Sequence, residues 1–222
     1  MKTIAIIPAR AGSKRLPNKN LLSFGGIPLL AHSIQYAQAN SDIIDEIYVS
    51  TDSHEMGTVA EKFGAIVIYR PVALSGDEEP TVSALAHVLE NIAAVDNVVL
   101  LQPTNPLRPA DLLSVAFAKF IDENHDSLFT VSRNRHKLGT ISDHKFKPYN
   151  YKIGQRSQDL EPLYFENGLL YIAKASLILQ KIIISENAFP FEVDHIFANV
   201  DIDTQNDFDF ATLILEKHNQ NA

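Results

Sequence analysis

An α/β fold, a mostly parallel sheet flanked by helices, is predicted for this chain by three observations. Short apolar runs such as Ile4-Ala-Ile-Ile7 and Val98-Val-Leu-Leu101 read as buried strands. Stretches of helical period, about 10–15 residues each, separate them, the spacing of right-handed βαβ units. The first strands run into turns rich in Gly, Pro, Ser, Thr or Asp, which belong at the carboxyl edge of such a sheet.

The elements follow in order. Thr3 to Ile7 is the first strand, and Pro28 to Ala39 a helix with Leu29, Leu30, Ile34 and Ala37 on or near one face. Glu46 to Ser50 is a strand ending in Thr51-Asp52-Ser53. His54 to Phe63 is a helix stopped by Gly64. Ile66 to Tyr69 is a strand, 70–80 a loop, and Thr81 is expected to cap a helix through Ile92. Asn97 to Leu101, Ala110 to Asn124 and Ser127 to Val131 continue the pattern as strand, helix and strand. It then breaks: Ser132 to Pro162 is polar, mixes basic and aromatic residues and has no clear period. A structureless loop of that length does not suit a compact domain, so 132–162 is expected to form a small projecting β-rich arm at a subunit interface. The core resumes with strands at Gly168 to Ala173 and His195 to Val200. Thr204, with Asp207 three residues on, opens a last helix through Lys217. Residues 1–131 and 163–222 thus form one α/β domain with the arm inserted.

Composition narrows the function. The chain has 222 residues, formal net charge -8 and no cysteine, which excludes disulfides, thiolate catalysis and Cys-ligated zinc. Its acidity argues against generic binding to nucleic acid or anionic membrane. No apolar run approaches the roughly 20 residues that span a bilayer, and no signal-like segment opens the chain; a cytoplasmic location is expected.

Against this acidity, the loop after the first strand gathers Arg10, Lys14, Arg15 and Lys19 around Gly12-Ser13. Ligands of open α/β sheets bind at that edge, so the loop is expected to hold a polyanion, a nucleoside triphosphate first among candidates. Gly12 and Ser13 would let backbone amides approach phosphate, while Arg10, Lys14 and Lys19 neutralise charge at phosphorus. The spacing is neither that of a P-loop nor a dinucleotide fingerprint.

Asp201 and Asp203 alternate on a segment read as extended, so both carboxylates face one point. They suit Mg²⁺ (or Mn²⁺) shared with phosphate oxygens, or equally an acidic cap on the following helix. Gln102-Pro-Thr-Asn-Pro-Leu-Arg108 is a proline-held turn presenting Gln102, Thr104, Asn105 and Arg108 at the same edge. It either meets a sugar or base or closes on its own backbone.

Taken in order, IIPARAGSKRLPNKN, VSTDS, YRP, LLQPTNPLR, RSQDL, ENGLLYI and DIDTQNDF resemble the acylneuraminate cytidylyltransferases, which have the GT-A-like, Rossmann-like nucleotide-diphospho-sugar transferase fold. The resemblance implies transfer of CMP from CTP to the anomeric hydroxyl of a nonulosonic acid. It implies that Arg10, Ser13, Lys14 and Lys19 contact the triphosphate and that Asn20, Arg70 and Thr81 surround cytosine and ribose. Gln102 and Tyr171 match sugar contacts, Arg156 a carboxylate-binding arginine often supplied by the partner subunit, and Asp201 and Asp203 the magnesium carboxylates. Arg10, Lys19 and Asp203 would carry the chemistry, in a homodimer joined through the arm. One departure concerns the acceptor: His136-Lys-Leu-Gly139 stands where the family often has a His-Pro element. The rival readings are a nucleotidyltransferase of the same fold acting on a sugar 1-phosphate with another nucleotide, and a catalytically silent nucleotide-binding regulator.

Overall fold

The computed structural model describes residues 1–221; Ala222, the last residue of the expected domain, lies outside them. In chain order the strands are β1 (Thr3–Pro8), β2 (Ser23–Phe24), β3 (Ile27–Pro28), β4 (Glu46–Thr51), β5 (Ile66–Tyr69), β6 (Asn97–Leu100), β7 (Ser127–Asn134), β8 (Gly139–Ser142), β9 (Lys145–Pro148), β10 (Leu163–Lys174) and β11 (Phe189–Glu192). The helices are α1 (Leu29–Gln38), α2 (His54–Lys62), α3 (Thr81–Glu90), α4 (Leu112–Asp122), α5 (Ala175–Leu179) and α6 (Gln205–Asn221).

Seven strands form one sheet in the order β11-β7-β10-β6-β1-β4-β5. Every pair is parallel except those made by β10, which runs antiparallel between β6 and β7. The chain winds outward from β1 through β4 to β5, then returns to place β6 on the other side of β1. That reversal creates a switch point beside β1, where a ligand crevice opens beyond the carboxyl ends of the strands.

Alternation along β1 explains the two layers. Ala5 and Ile7 face a core shared with α1, α2 and α4; Ile4 and Ile6 face a second core with α3 and α5. Burying each such Leu or Ile contributes about 1.5–3 kcal/mol. A third cluster does more for the site: Leu16, from the basic loop, packs with Phe197, Val200, Ile202 and Ala211. It fastens that loop to the segment leading into α6.

Several expectations need correcting. His195 to Val200 is not a strand but contains a 3-10 turn, Ile196–Asn199. The strand nearby is β11, whose Phe-Pro-Phe-Glu sequence hides its period; at the sheet edge Pro190 costs no ladder bond that a central strand would need. Thr81 does not cap α3: Pro80 occupies the N-cap position, and no side chain bonds the helix's first amides there. Asn105 and Arg108 turn inward, at 1% and 7% exposure. The β2–β3 hairpin and α5 were too short to give a periodic signal. Gly64 does close α2, in the left-handed conformation at φ 86°.

Between β7 and β10, residues 135–162 carry the β8–β9 hairpin and a 3-10 turn at Ser157–Asp159. Around this hairpin Ile141, Phe146, Tyr149 and Ile153 are exposed.

Candidate active site

A cleft of about 670 Å³ opens at the carboxyl ends of β1, β5 and β6. It brings together, from the expected set, Arg10, Ser13, Lys14, Lys19, Asn20, Arg70, Thr81, Gln102, Asp201 and Asp203.

The basic loop is held open by its own polar contacts. Asp52, at the end of β4, accepts the Ala11 amide at 2.9 Å, and the Asn20 side chain donates to the Arg10 carbonyl at 3.1 Å. The Ser13 N–H is turned back on the Ala11 carbonyl. Gly12 does not line the cleft, and a Cβ there would touch nothing within 4 Å. Its small size is therefore not demanded by the packing of this loop.

Lys19 is 8% exposed, yet its ammonium emerges at the cleft to meet Asp203 Oδ1 at 2.7 Å. The other oxygen of Asp203 meets Arg15 at 2.5 Å. Asp77, on the 70–80 loop, spans the opposite side of the cation set, pairing with Arg10 at 2.5 Å and with Lys14. Those two cations hold the Asp77 carboxyl below its usual range through hydrogen bonds first and charge second. The lining counts five cations, Arg10, Lys14, Arg15, Lys19 and Arg70, against four carboxylates, Asp77, Glu79, Asp201 and Asp203. A near-balanced cleft of this kind binds a polyanion only if a carboxylate yields or a further cation enters.

Arg70 is buried and committed on one edge. Its Nε donates to Ser75 and its Nη1 to the Ser50 carbonyl, joining β4 to the 70–80 loop. Burial lowers its pKa, against the Asp52 charge and with that of Arg10.

Asp201 and Asp203 alternate with Val200 and Ile202, which are 1% and 0% exposed; the apolar pair anchors the segment and leaves the acidic pair outside. Capping of α6 falls to Thr204 and Asp207, which exchange backbone-to-side-chain bonds at 2.7 and 3.3 Å. Asp201 stays solvent-accessible, yet the crowded walls raise its carboxyl pKa by desolvation, and the Asp203 charge adds to this. A Thr104 hydrogen bond and the Lys19 charge oppose the rise. No ion pair among the described residues includes Asp201.

Two expected residues lie elsewhere. Tyr171 is 6% exposed, and its hydroxyl donates to Glu166 at 2.5 Å instead of lining the cleft. Burial, then the Glu166 bond, drives its pKa upward. Arg156 stands on the arm, forked onto Asp159 at 2.8 and 3.1 Å.

The proline-held turn divides its labour. Gln102 and Thr104 line the cleft, while Asn105 and Arg108 brace it from behind. The Asn105 amide donates to the Asn167 and Val200 carbonyls at 3.1 and 2.8 Å, and the Ile202 N–H donates to the Thr104 carbonyl. The turn thus closes on distant segments and sets the height of the Asp201–Asp203 strip. Asp77 carried no signal in sequence beyond being a polar residue in a loop, and Asp52 and Asn167 stood inside the VSTDS and ENGLLYI segments without a role of their own.

The chain matches one family model, "Cytidylyltransferase", over residues 4–222. A pseudaminic acid cytidylyltransferase of Campylobacter jejuni is 33% identical over the full length of both chains. A CMP-N,N'-diacetyllegionaminic acid synthase of Legionella pneumophila is 34% identical over 97% of each. An N-acylneuraminate cytidylyltransferase of Streptococcus agalactiae is 32% identical over 94% of this chain, which spans about half (52%) of that relative's length. In fold, a solved CMP:2-keto-3-deoxy-manno-octonic acid synthetase complexed with CTP superposes with a TM-score of 0.75 at 18% identity, covering 98% of this chain and 100% of that one. On sequence and architecture together, this chain belongs to the cytidylyltransferase family of nucleotide-transferring enzymes.

Proposed function

We propose that the enzyme transfers CMP from CTP to the anomeric hydroxyl of a nonulosonic acid and releases pyrophosphate, with Mg²⁺ required. The observation that carries this reading is the meeting of Lys19 with Asp203 at one cleft with Arg10 and Lys14. Cations for a triphosphate and carboxylates for its metal converge there from opposite ends of the chain.

In this reading Arg10, Lys14 and Lys19 bind the phosphates, with Ser13 beside them. Asn20, Arg70 and Thr81 receive the nucleoside, and Gln102 faces the acceptor. The acceptor oxygen attacks the α-phosphorus in line. An O–P bond forms, the bond to pyrophosphate breaks, and the hydroxyl proton leaves to solvent. Such a transfer depends on positioning and on charges fixed in advance, here Arg10 and Lys19.

The residues present fit Mg²⁺. Among the described residues no group of three or more His, Cys, Asp or Glu forms a closed metal set, but Mg²⁺ characteristically takes one or two carboxylates plus substrate phosphates. Asp201, desolvated and without an ion pair, and Asp203, whose Arg15 partner is exposed, would hold it. Bound there, the ion would supply charge against the phosphates and would lower the pKa of a hydroxyl.

The exposed Ile141, Phe146, Tyr149 and Ile153 support a homodimer joined through the arm. That assembly would carry Arg156 toward a neighbouring cleft, where it would bind the acceptor's carboxylate. No helix among the described residues is long and apolar enough to cross a membrane.

The test is pyrophosphate release from CTP with pseudaminic, N,N'-diacetyllegionaminic and N-acetylneuraminic acids, with Mg²⁺ and then with a chelator. Release that needs both an acid and the metal supports the reading. Preference for a sugar 1-phosphate, or CTP binding with no release, overturns it.

A further inference from the structure

A second, smaller cleft of about 150 Å³ lies at the carboxyl ends of β7 and β11. Arg133 and Arg135 enter it from the end of β7, Phe165 from the antiparallel β10, and Asp194, His195 and Asn199 from the segment after β11.

Two connections tie it to the nucleotide cleft. Asn199 lines the outer cleft and Asp201 the inner one, with buried Val200 extended between them at φ -101°, ψ 106°. Two residues of extended chain span about 7 Å. Behind this strip runs a buried relay: Asn105 donates to the Asn167 carbonyl, the Asn167 amide donates to Ser132 at 2.9 Å, and Ser132 donates to the Val193 carbonyl at 2.6 Å. Ser132 lines the outer cleft, so the relay links that cleft to the Gln102–Arg108 turn, whose Gln102 and Thr104 line the nucleotide cleft.

The lining says what fits. Asp194 faces Arg135 at 3.4 Å, which leaves Arg133 as the one lining arginine without a carboxylate partner among the described residues, too little charge for a polyanion. His195 accepts the Phe197 N–H on Nδ1, which leaves Nε2 to carry the proton of the neutral ring. Phe165, 40% exposed, forms an apolar wall with Val193 and Ala198. Donors, an acceptor and an apolar wall together match a neutral chain bearing hydroxyl and acylamido groups.

We propose that this outer cleft is the subsite for the exocyclic chain of the acceptor, and that Arg133, Arg135 and Phe165 set which acid is chosen. This rests on the nonulosonic-acid reading above. A sugar whose anomeric oxygen lies by Asp201 would reach the outer cleft with the carbons beyond its ring.

The experiment compares kcat/KM for the best-used acid with that for the same acid shortened by its last two exocyclic carbons. It uses the unmodified enzyme, an Arg133→Ala/Arg135→Ala double variant and Phe165→Leu, all at exposed positions. The unmodified enzyme is expected to favour the full chain by about tenfold or more, as the loss of paired polar groups demands. In the variants that ratio falls toward one while the KM for CTP is unchanged. Variants that keep the ratio, including by losing activity equally on both acids, overturn the subsite, as does an unmodified enzyme indifferent to the shortening. Turnover of no nonulosonic acid defeats the activity reading and the subsite with it; turnover with an unchanged ratio defeats the subsite alone.

Discussion

Lys19 Nζ lies 2.7 Å from Asp203 Oδ1 across 184 residues of sequence, at the floor of the cleft. The pair joins the first-strand loop to the strip before α6, and the Leu16–Ile202 cluster beneath keeps both backbones in place. Lys19→Ala removes a preorganised charge and leaves Asp203 to Arg15 alone. Turnover is expected to fall about 100-fold or more. Pyrophosphate-release kinetics check this, and near-normal kcat would remove Lys19 from the catalytic set.

Asp201 gives a prediction with a sign. Its folded carboxyl pKa is raised, by desolvation first, so the stability it contributes is present below the unfolded value, about 3.9. That stability is lost as pH rises through the folded value. At neutral pH without metal, ionised Asp201 weakens the fold. Asp201→Asn should therefore melt at a higher temperature than the parent at neutral pH, with the gain vanishing in acid. Mg²⁺ should raise the parent's melting temperature and leave the variant's nearly unmoved. A variant that gains as much from Mg²⁺ as the parent would show that Asp201 does not hold the ion.

The legible parts of this molecule are those written in short-range pattern. β1, β4 and β6 show as apolar runs because both sheet faces are covered there, and Gly64 at the end of α2 takes the left-handed conformation that glycine favours. Lys19 is visible because cations gather in the loop after β1, and Asp203 because it alternates with Asp201 just before α6. What stays hidden depends on distant partners. Nothing in the Gln102–Arg108 turn announces that Asn105 and Arg108 face inward, since three of their acceptors, Asn167, Leu169 and Val200, lie more than sixty residues away. β11 escapes notice because an edge strand four residues long, with a proline in it, has no period to detect.

Asp77 holds Arg10 and Lys14, two cations assigned to the triphosphate. A nucleotide must displace that carboxylate or share its partners. Asp77→Asn is expected to lower the KM for CTP about fivefold, the order of an exposed ion pair. It should also strengthen inhibition by pyrophosphate, which competes for the same cations. Titration of both ligands by calorimetry checks this, and weaker CTP binding would assign Asp77 to holding the loop instead.

Arg108 is a buried cation held by neutral acceptors: Nε donates to the Leu169 carbonyl at 2.7 Å, Nη2 to the Gln102 carbonyl at 2.9 Å and Nη1 to Ser33 at 3.2 Å. The Tyr36 ring lies 5.4 Å from its centre. Burial pushes the guanidinium down to about 10, which leaves it charged at neutral pH. The same fork fixes Gln102 and the irregular part of β10, where Gly168, at φ 76°, lets Asn105 approach. Lysine keeps the charge but cannot reach all three acceptors. Arg108→Lys is expected to cost about 1–3 kcal/mol, the range for stranding a buried carbonyl. Urea unfolding measures that loss. If the fork also positions Gln102, the KM for the acceptor rises while the KM for CTP holds, and a uniform change in both would reduce Arg108 to a structural role.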